Sequence, residues 1–189
     1  MSDGRPAILQ LRQSSLHRLL TIARRDHPLE CCGILVGARF GNRTHVSQVV
    51  AGRNIATGDP KSTYQLDWRT LFSTIRAARV NGDEIVGFYH SHPNGSQEPS
   101  RRDRHEAWLD HSYLILGAPF DDVRSAVSWR ILDHRAGFER EHLWVVSDGC
   151  IWDDSLTMST SVRGTIGSLG VQAQRAHRLR RNRCAMRPR

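Results

Sequence analysis

Apolar and polar positions alternate in two rhythms along the chain, and each predicts an element. Leu16, Leu19, Leu20 and Ala23 recur at helical spacing, predicting a helix over residues 14–26. Ser14 or Ser15 is expected to cap it, and Pro28 to end it, since proline disfavours helical backbone at the residue before. Residues 33–40 are an apolar strand, Gly41-Asn42 a turn, and residues 45–51 the returning partner of a hairpin. Gly33 and Gly37 imply close backbone approach or a bulge. A polar loop follows, then an extended stretch over residues 62–66. Asp67 is placed to cap a second helix, whose inward face is predicted to be Trp68, Leu71, Phe72, Ile75 and Ala78, with Asn81-Gly82 ending it. The aromatic members of that stripe read as core. Residues 85–89 form a short buried strand, and residues 112–117, 126–132 and 138–146 are further strand segments. The mixture predicts a single α/β domain.

Composition narrows this frame. The 189 residues are 39% apolar, enough for one domain with its own core. No run of 18 apolar residues suggests a membrane span, and no apolar signal segment follows the first residues. Four cysteines, two adjacent, give no disulfide framework and point to a reducing cytoplasm. The charge is unevenly placed. All 19 acidic residues lie at or before Asp154, whereas residues 155–189 carry eight arginines and no acid. The formal charge of +8 therefore belongs to the tail. Two segments are expected: a folded domain over residues 1–154 and a basic, flexible extension over residues 155–189. Binding to nucleic acid is expected, if anywhere, only through that tail.

The chemistry gathers in His90-Ser91-His92, which leaves the buried strand at residues 85–89, and in Asp103, eleven residues further on. Side chains two apart on an extended segment point the same way, so both histidines can face one pocket. Ser100 can open a helix and place Asp103 in its first turn. Ser100 and Asp103 also have the spacing of a capping box, which explains a serine and an acid but not the two histidines. Two imidazoles, one carboxylate and an open position suit a catalytic zinc site.

This stretch resembles the signature of the JAMM metalloproteases, the Mov34/MPN domain. That signature is His-x-His, seven residues commonly beginning with proline, then Ser-x-x-Asp. His90, His92 and Asp103 match its metal ligands, and Ser100 matches its serine. Upstream, Pro28-Leu-Glu30-Cys31-Cys32-Gly33 resembles the bacterial form of the block that carries the catalytic glutamate. The resemblance covers residues 8–150. It implies a curved, mainly antiparallel sheet flanked by helices, Zn2+ as cofactor, Glu30 as general base and acid, and Ser100 as donor to the oxyanion. For small bacterial members it further implies a ubiquitin-like sulfur-carrier protein of the ThiS/MoaD type as substrate. Cleavage would follow its C-terminal Gly-Gly and release cysteine or a short extension. The alternatives are a deubiquitinase-like isopeptidase and a non-catalytic MPN scaffold; the intact site residues speak against the scaffold.

Other reactive residues read as structural. Adjacent side chains on an extended backbone diverge, so Cys31 and Cys32 cannot both enter one site, and packing is the expected role of each. His45 is expected on a strand surface. After Asp103 the helix is expected to continue through His105, Ala107, Trp108 and Leu109, and His105 and His111 are expected near the site in sequence without being ligands.

Overall fold

The apolar runs form strands, and one that periodicity does not single out comes first. A computed structural model describes residues 7–133 and 137–149. They order as β1 (Ile8–Arg12), α1 (Gln13–Asp26), β2 (Cys32–Phe40), β3 (Arg43–Gly52), α2 (Trp68–Val80), β4 (Glu84–His92), α3 (Arg101–Glu106), β5 (Ser112–Gly117), β6 (Ala126–Asp133) and β7 (Gly137–Val146). The strands close a barrel in the order β1-β3-β2-β4-β5-β6-β7. Pairing is antiparallel for β2 with β3 and β4, and for β6 with β5 and β7. It is parallel for β1 with β3 and β7, and for β4 with β5. The curved sheet between helices is thus a closed barrel of mixed pairing. No helix among the described residues is long and apolar enough to cross a membrane.

Strand alternation, shifted by one residue at the irregularity of β4 opposite Leu35 and Val36, gives each helix its own layer. Leu35, Val86 and Tyr89 join Leu9, Leu11, Val46, Leu114 and Leu116 in one core with the buried face of α1. The opposite faces of β2 and β4, through Ile34, Val36, Ile85 and Phe88, pack under α2. Gly37 lies at the bulge where β2 slips against β3, and a side chain there would strike the His45 backbone.

Neither predicted serine caps α1. Arg12 holds the N-cap position without a side-chain bond. Asp148 instead accepts the Ser14 backbone N–H at 3.3 Å and the Ser14 hydroxyl, placing a carboxylate at the positive end of the helix. Asp67 does cap α2, accepting the Arg69 N–H at 3.1 Å, and the helix ends at Asn81 with Gly82 at φ +76°. Its inner face differs from expectation. Thr74 and Ala78 are buried, whereas Trp68 and Phe72 are 57% and 58% exposed. Small side chains let α2 settle onto Ile34 and Val36, with Leu71 beside them. The two aromatics turn outward and pack edge-to-face at 6.1 Å, with the Arg69 guanidinium 5.3 Å over the Trp68 ring.

Helix α3 also stops earlier than its sequence suggests. Ala107 is already extended, and the Trp108 N–H donates to the Tyr113 hydroxyl at 2.6 Å, so the chain turns toward β5. One compact unit ends at Asp148. The basic extension expected over residues 155–189 lies outside the described residues.

Candidate metal centre

The parallel pairing of β4 with β5 sets the site. Parallel neighbours need a crossover connection, and here it carries α3. The chain turns after His92 through Gly95, at φ +84°, and returns so that the first turn of α3 meets the carboxyl end of β4. Ser100 and Asp103 form the capping box that starts the helix. The Ser100 hydroxyl oxygen accepts the Asp103 N–H at 3.1 Å, and Asp103 Oδ2 accepts the Ser100 N–H at 2.7 Å. The cap therefore also aims Asp103 at the histidines. His90 Nε2 lies 3.4 Å from Asp103 Oδ1, His92 Nε2 lies 3.7 Å from Asp103 Oδ2, and the two Nε2 atoms are 3.0 Å apart.

All three side chains are buried, at 0%, 7% and 8% exposure for His90, His92 and Asp103. Burial opposes ionisation of Asp103, but hydrogen bonds from both histidines and Ser100 hold its carboxyl well below the usual range. Burial, with the His92 charge adding to it, lowers His90 despite its bond to Asp103. Burial also pulls His92 down, yet the bonds to Asp103 raise it overall. His92 Nδ1 meets the Ser96 carbonyl at 3.1 Å; donating its proton there leaves the Nε2 lone pair directed at the centre. Two imidazole nitrogens and a buried carboxylate thus converge with one potential ligand atom each, all within 4.8 Å of one another. A cation answers both the buried negative charge and the facing lone pairs. Two nitrogens and one oxygen are a donor set suited to zinc with an open position. The chemistry of the residues fits Zn2+. Among the described residues, this is the cluster that could hold a metal.

Glu30 stands where β2 begins and is anchored on both sides. The Glu30 N–H donates to the Pro60 carbonyl at 2.8 Å. Next to it, the Cys31 N–H donates to the Ser91 hydroxyl at 2.9 Å, and the Ser91 N–H donates to the Cys31 carbonyl at 3.0 Å. The residue between the two histidines therefore fixes the glutamate's neighbour. Burial raises the Glu30 carboxyl to about 7; the positive field of His92 opposes this and the Asp103 charge adds to it. A carboxyl so placed can exchange protons near neutral pH.

Two residues that sequence reading passed over complete the surroundings. Tyr64 stacks on the His90 ring at 4.5 Å between centroids. Asn54 ties the Tyr64 segment to Glu30. Its Nδ2 donates to the Glu30 and Thr63 carbonyls at 3.1 Å each, and its Oδ1 accepts the Ala56 and Gln65 N–H groups at 3.0 Å each. An asparagine in a polar loop carries no periodic signal. Its four bonds are visible only in the fold. Asn54→Ala should cost about 2–4 kcal/mol, at roughly 1 kcal/mol per lost bond. Urea unfolding measures this, and zinc content should stay near wild type because no ligand is touched.

The remaining candidates are not among the converging ligands. Cys32 pairs across from His90, and Cys31 joins the core under α1. Burial pushes the Cys31 and Cys32 thiols up to about 11 and about 12, so both are protonated and unsuited to nucleophilic attack at neutral pH. His111 packs on Phe88 and Trp108, and its Nδ1 meets the Leu109 carbonyl at 2.7 Å. His45 sits edge-on to Phe40. His105 is exposed in the last turn of α3.

Above the centre opens a cleft of about 240 Å³ whose walls include Glu30, Tyr64, His92, Ser100 and Asp103. That equals about eight water volumes, room for a few extended residues and not for a folded body. Residues 12–132 match the family described as prokaryotic homologs of the JAB domain. The chain is 31% identical over 136 residues to the CysO-cysteine peptidase of Mycobacterium tuberculosis, covering 70% of this chain and 89% of that protein. It is 37% identical over 119 residues to the desampylase of Haloferax volcanii, covering 62% and 82%. A solution structure from Desulfitobacterium hafniense superposes with a TM-score of 0.65 at 28% identity, covering 74% of this chain and 94% of that one.

Proposed function

The chain belongs to the family of prokaryotic homologs of the JAB domain and carries a JAMM-type zinc metallopeptidase site; from that premise we propose that it hydrolyses the bond after the C-terminal Gly-Gly of a ubiquitin-like sulfur-carrier protein. The product would be the carrier plus free cysteine or a short peptide. The observation that carries this reading is the buried His90–His92–Asp103 set, of which His92 and Asp103 line a cleft of about 240 Å³ with room for an extended tail. The relative named CysO-cysteine peptidase supports cysteine as the released group. Free, buried Cys31 and Cys32 support a cytoplasmic setting, where thiols stay reduced.

In this reading His90, His92 and Asp103 hold the metal. Zinc bound there supplies Lewis acidity, polarising the scissile carbonyl and acidifying water. Glu30 takes a proton from the attacking water and hands it to the amine as the carbon–nitrogen bond breaks. Ser100 donates to the carbonyl oxygen as negative charge develops on it. The cap uses a lone pair of the Ser100 hydroxyl, and the Asp103 carboxylate and the carbonyl oxygen are the two acceptors within the site for its proton. Tyr64 holds the His90 ring from above.

Intact-mass analysis tests the substrate. ThiS/MoaD-type carriers ending in Gly-Gly-Cys, or in a short extension, should lose that extension only with zinc-loaded enzyme. The carrier body should be required, since one or two extended residues bury too little surface for useful affinity. Efficient cleavage of ubiquitin chains with every carrier left intact would instead place the enzyme among deubiquitinase-like isopeptidases.

A further inference from the structure

Two cations line the catalytic cleft without a role in the chemistry above. Lys61 comes from the loop before Tyr64, and Arg102 from α3, one residue before Asp103. Each keeps side-chain nitrogens that no neighbour among the described residues takes up. Among the described residues Lys61 engages only through its backbone N–H, which donates to Asp59 Oδ1 at 3.0 Å. Arg102 reaches Glu106 Oε1 through Nε at 2.8 Å, and its terminal nitrogens bond to nothing among the described residues. The same cleft holds the carboxylates of Glu30, Glu98 and Asp103. A substrate that brings in another carboxylate meets repulsion from these unless cations offset it.

We infer that Lys61 and Arg102 read the α-carboxylate of a single C-terminal residue, making the site selective for a one-residue leaving group. The inference rests on the peptidase reading above and deepens it. In a released amino acid the carboxylate carbon is two bonds from the amine nitrogen that Glu30 protonates. A group that reads it must therefore lie in the cleft that holds Glu30, and both cations do. When the leaving group is a longer chain, a neutral amide stands at that place and the cations gain nothing. Guanidinium and ammonium donors bind a carboxylate through charge-assisted hydrogen bonds, about twice as strong as neutral ones.

The test uses the full-length, zinc-loaded enzyme and the carrier cleaved in the assay above. That carrier is prepared by ligation with a C-terminal Gly-Gly-Cys either as free acid or as primary amide. The wild type should prefer the acid in kcat/KM by roughly tenfold or more, the scale of one well-placed charge-assisted bond. The acid-to-amide ratio should fall in Lys61→Ala and in Arg102→Ala, approach one in the double variant, and be partly kept in Arg102→Lys. It should also shrink as salt rises. A purely structural role for either cation would lower both rates together and leave the ratio alone. Equal wild-type rates on acid and amide, or a ratio unchanged in the double variant, would overturn the carboxylate assignment while leaving the peptidase intact. Cleavage of neither form, by an enzyme that removes a longer extension from the same carrier, would likewise overturn the one-residue assignment, whereas failure on every carrier in the assay above would contradict the peptidase reading itself.

Discussion

Glu30→Gln should slow hydrolysis by about 10²–10⁴-fold, the usual contribution of a positioned general acid–base. Zinc content and melting temperature should stay near wild type. The amide keeps the size of the side chain, and the anchors of this segment are backbone groups: Glu30 N–H to Pro60, Cys31 N–H to Ser91 and Asn54 to the Glu30 carbonyl. What disappears is the group that accepts and returns the proton. The pH profile gives a second readout. Burial lifts the Glu30 carboxyl to about 7, and a dication beside it favours the ionised form and pulls it below that value. A base must be ionised to act, so kcat/KM should fall as pH falls through this lowered value. The Gln variant should lack that limb. Undiminished turnover in Glu30→Gln would remove the residue from the mechanism.

Asp103→Asn separates the two duties of one side chain. The amide oxygen can still accept the Ser100 N–H, so the start of α3 should persist. The negative charge that faces both histidines is lost. Loss of a residue that merely orients a ligand typically costs 10–100-fold in metal affinity, so loss of a ligand's charge should exceed roughly 100-fold. Competition with a chelator measures this, and far-UV circular dichroism checks the helix. Wild-type zinc affinity in a folded variant would leave Asp103 as a cap alone.

Much of the site is legible along the chain because it is local. His90 and His92 share a face by strand alternation, and Ser100 with Asp103 share one helical turn. What brings the four together is the crossover from β4 to β5, which no periodicity reports. The first strand is missed for a related reason: Ile8–Arg12 is five residues long, and both its partners, β3 and β7, lie far off in sequence. The face of α2 fails differently. Trp68 and Phe72 have the same helical spacing as the buried stripe, one step around, and hydrophobicity favours the larger residues. The close approach of β2 and β4 favours Thr74 and Ala78 instead. Asn54 and Tyr64 act through a loop whose path is set by tertiary contacts, so their link to Glu30 and His90 has no sequence signature.

The most direct measurement is the zinc content and zinc-edge X-ray absorption of the purified full chain. One metal per chain should be found, the number a single three-ligand site implies. Its first shell should be nitrogen and oxygen at about 2.0–2.2 Å. Occupancy should collapse in His90→Ala and His92→Ala. Full zinc in those variants, or sulfur scattering at about 2.3 Å, would place the metal on other residues and contradict the account.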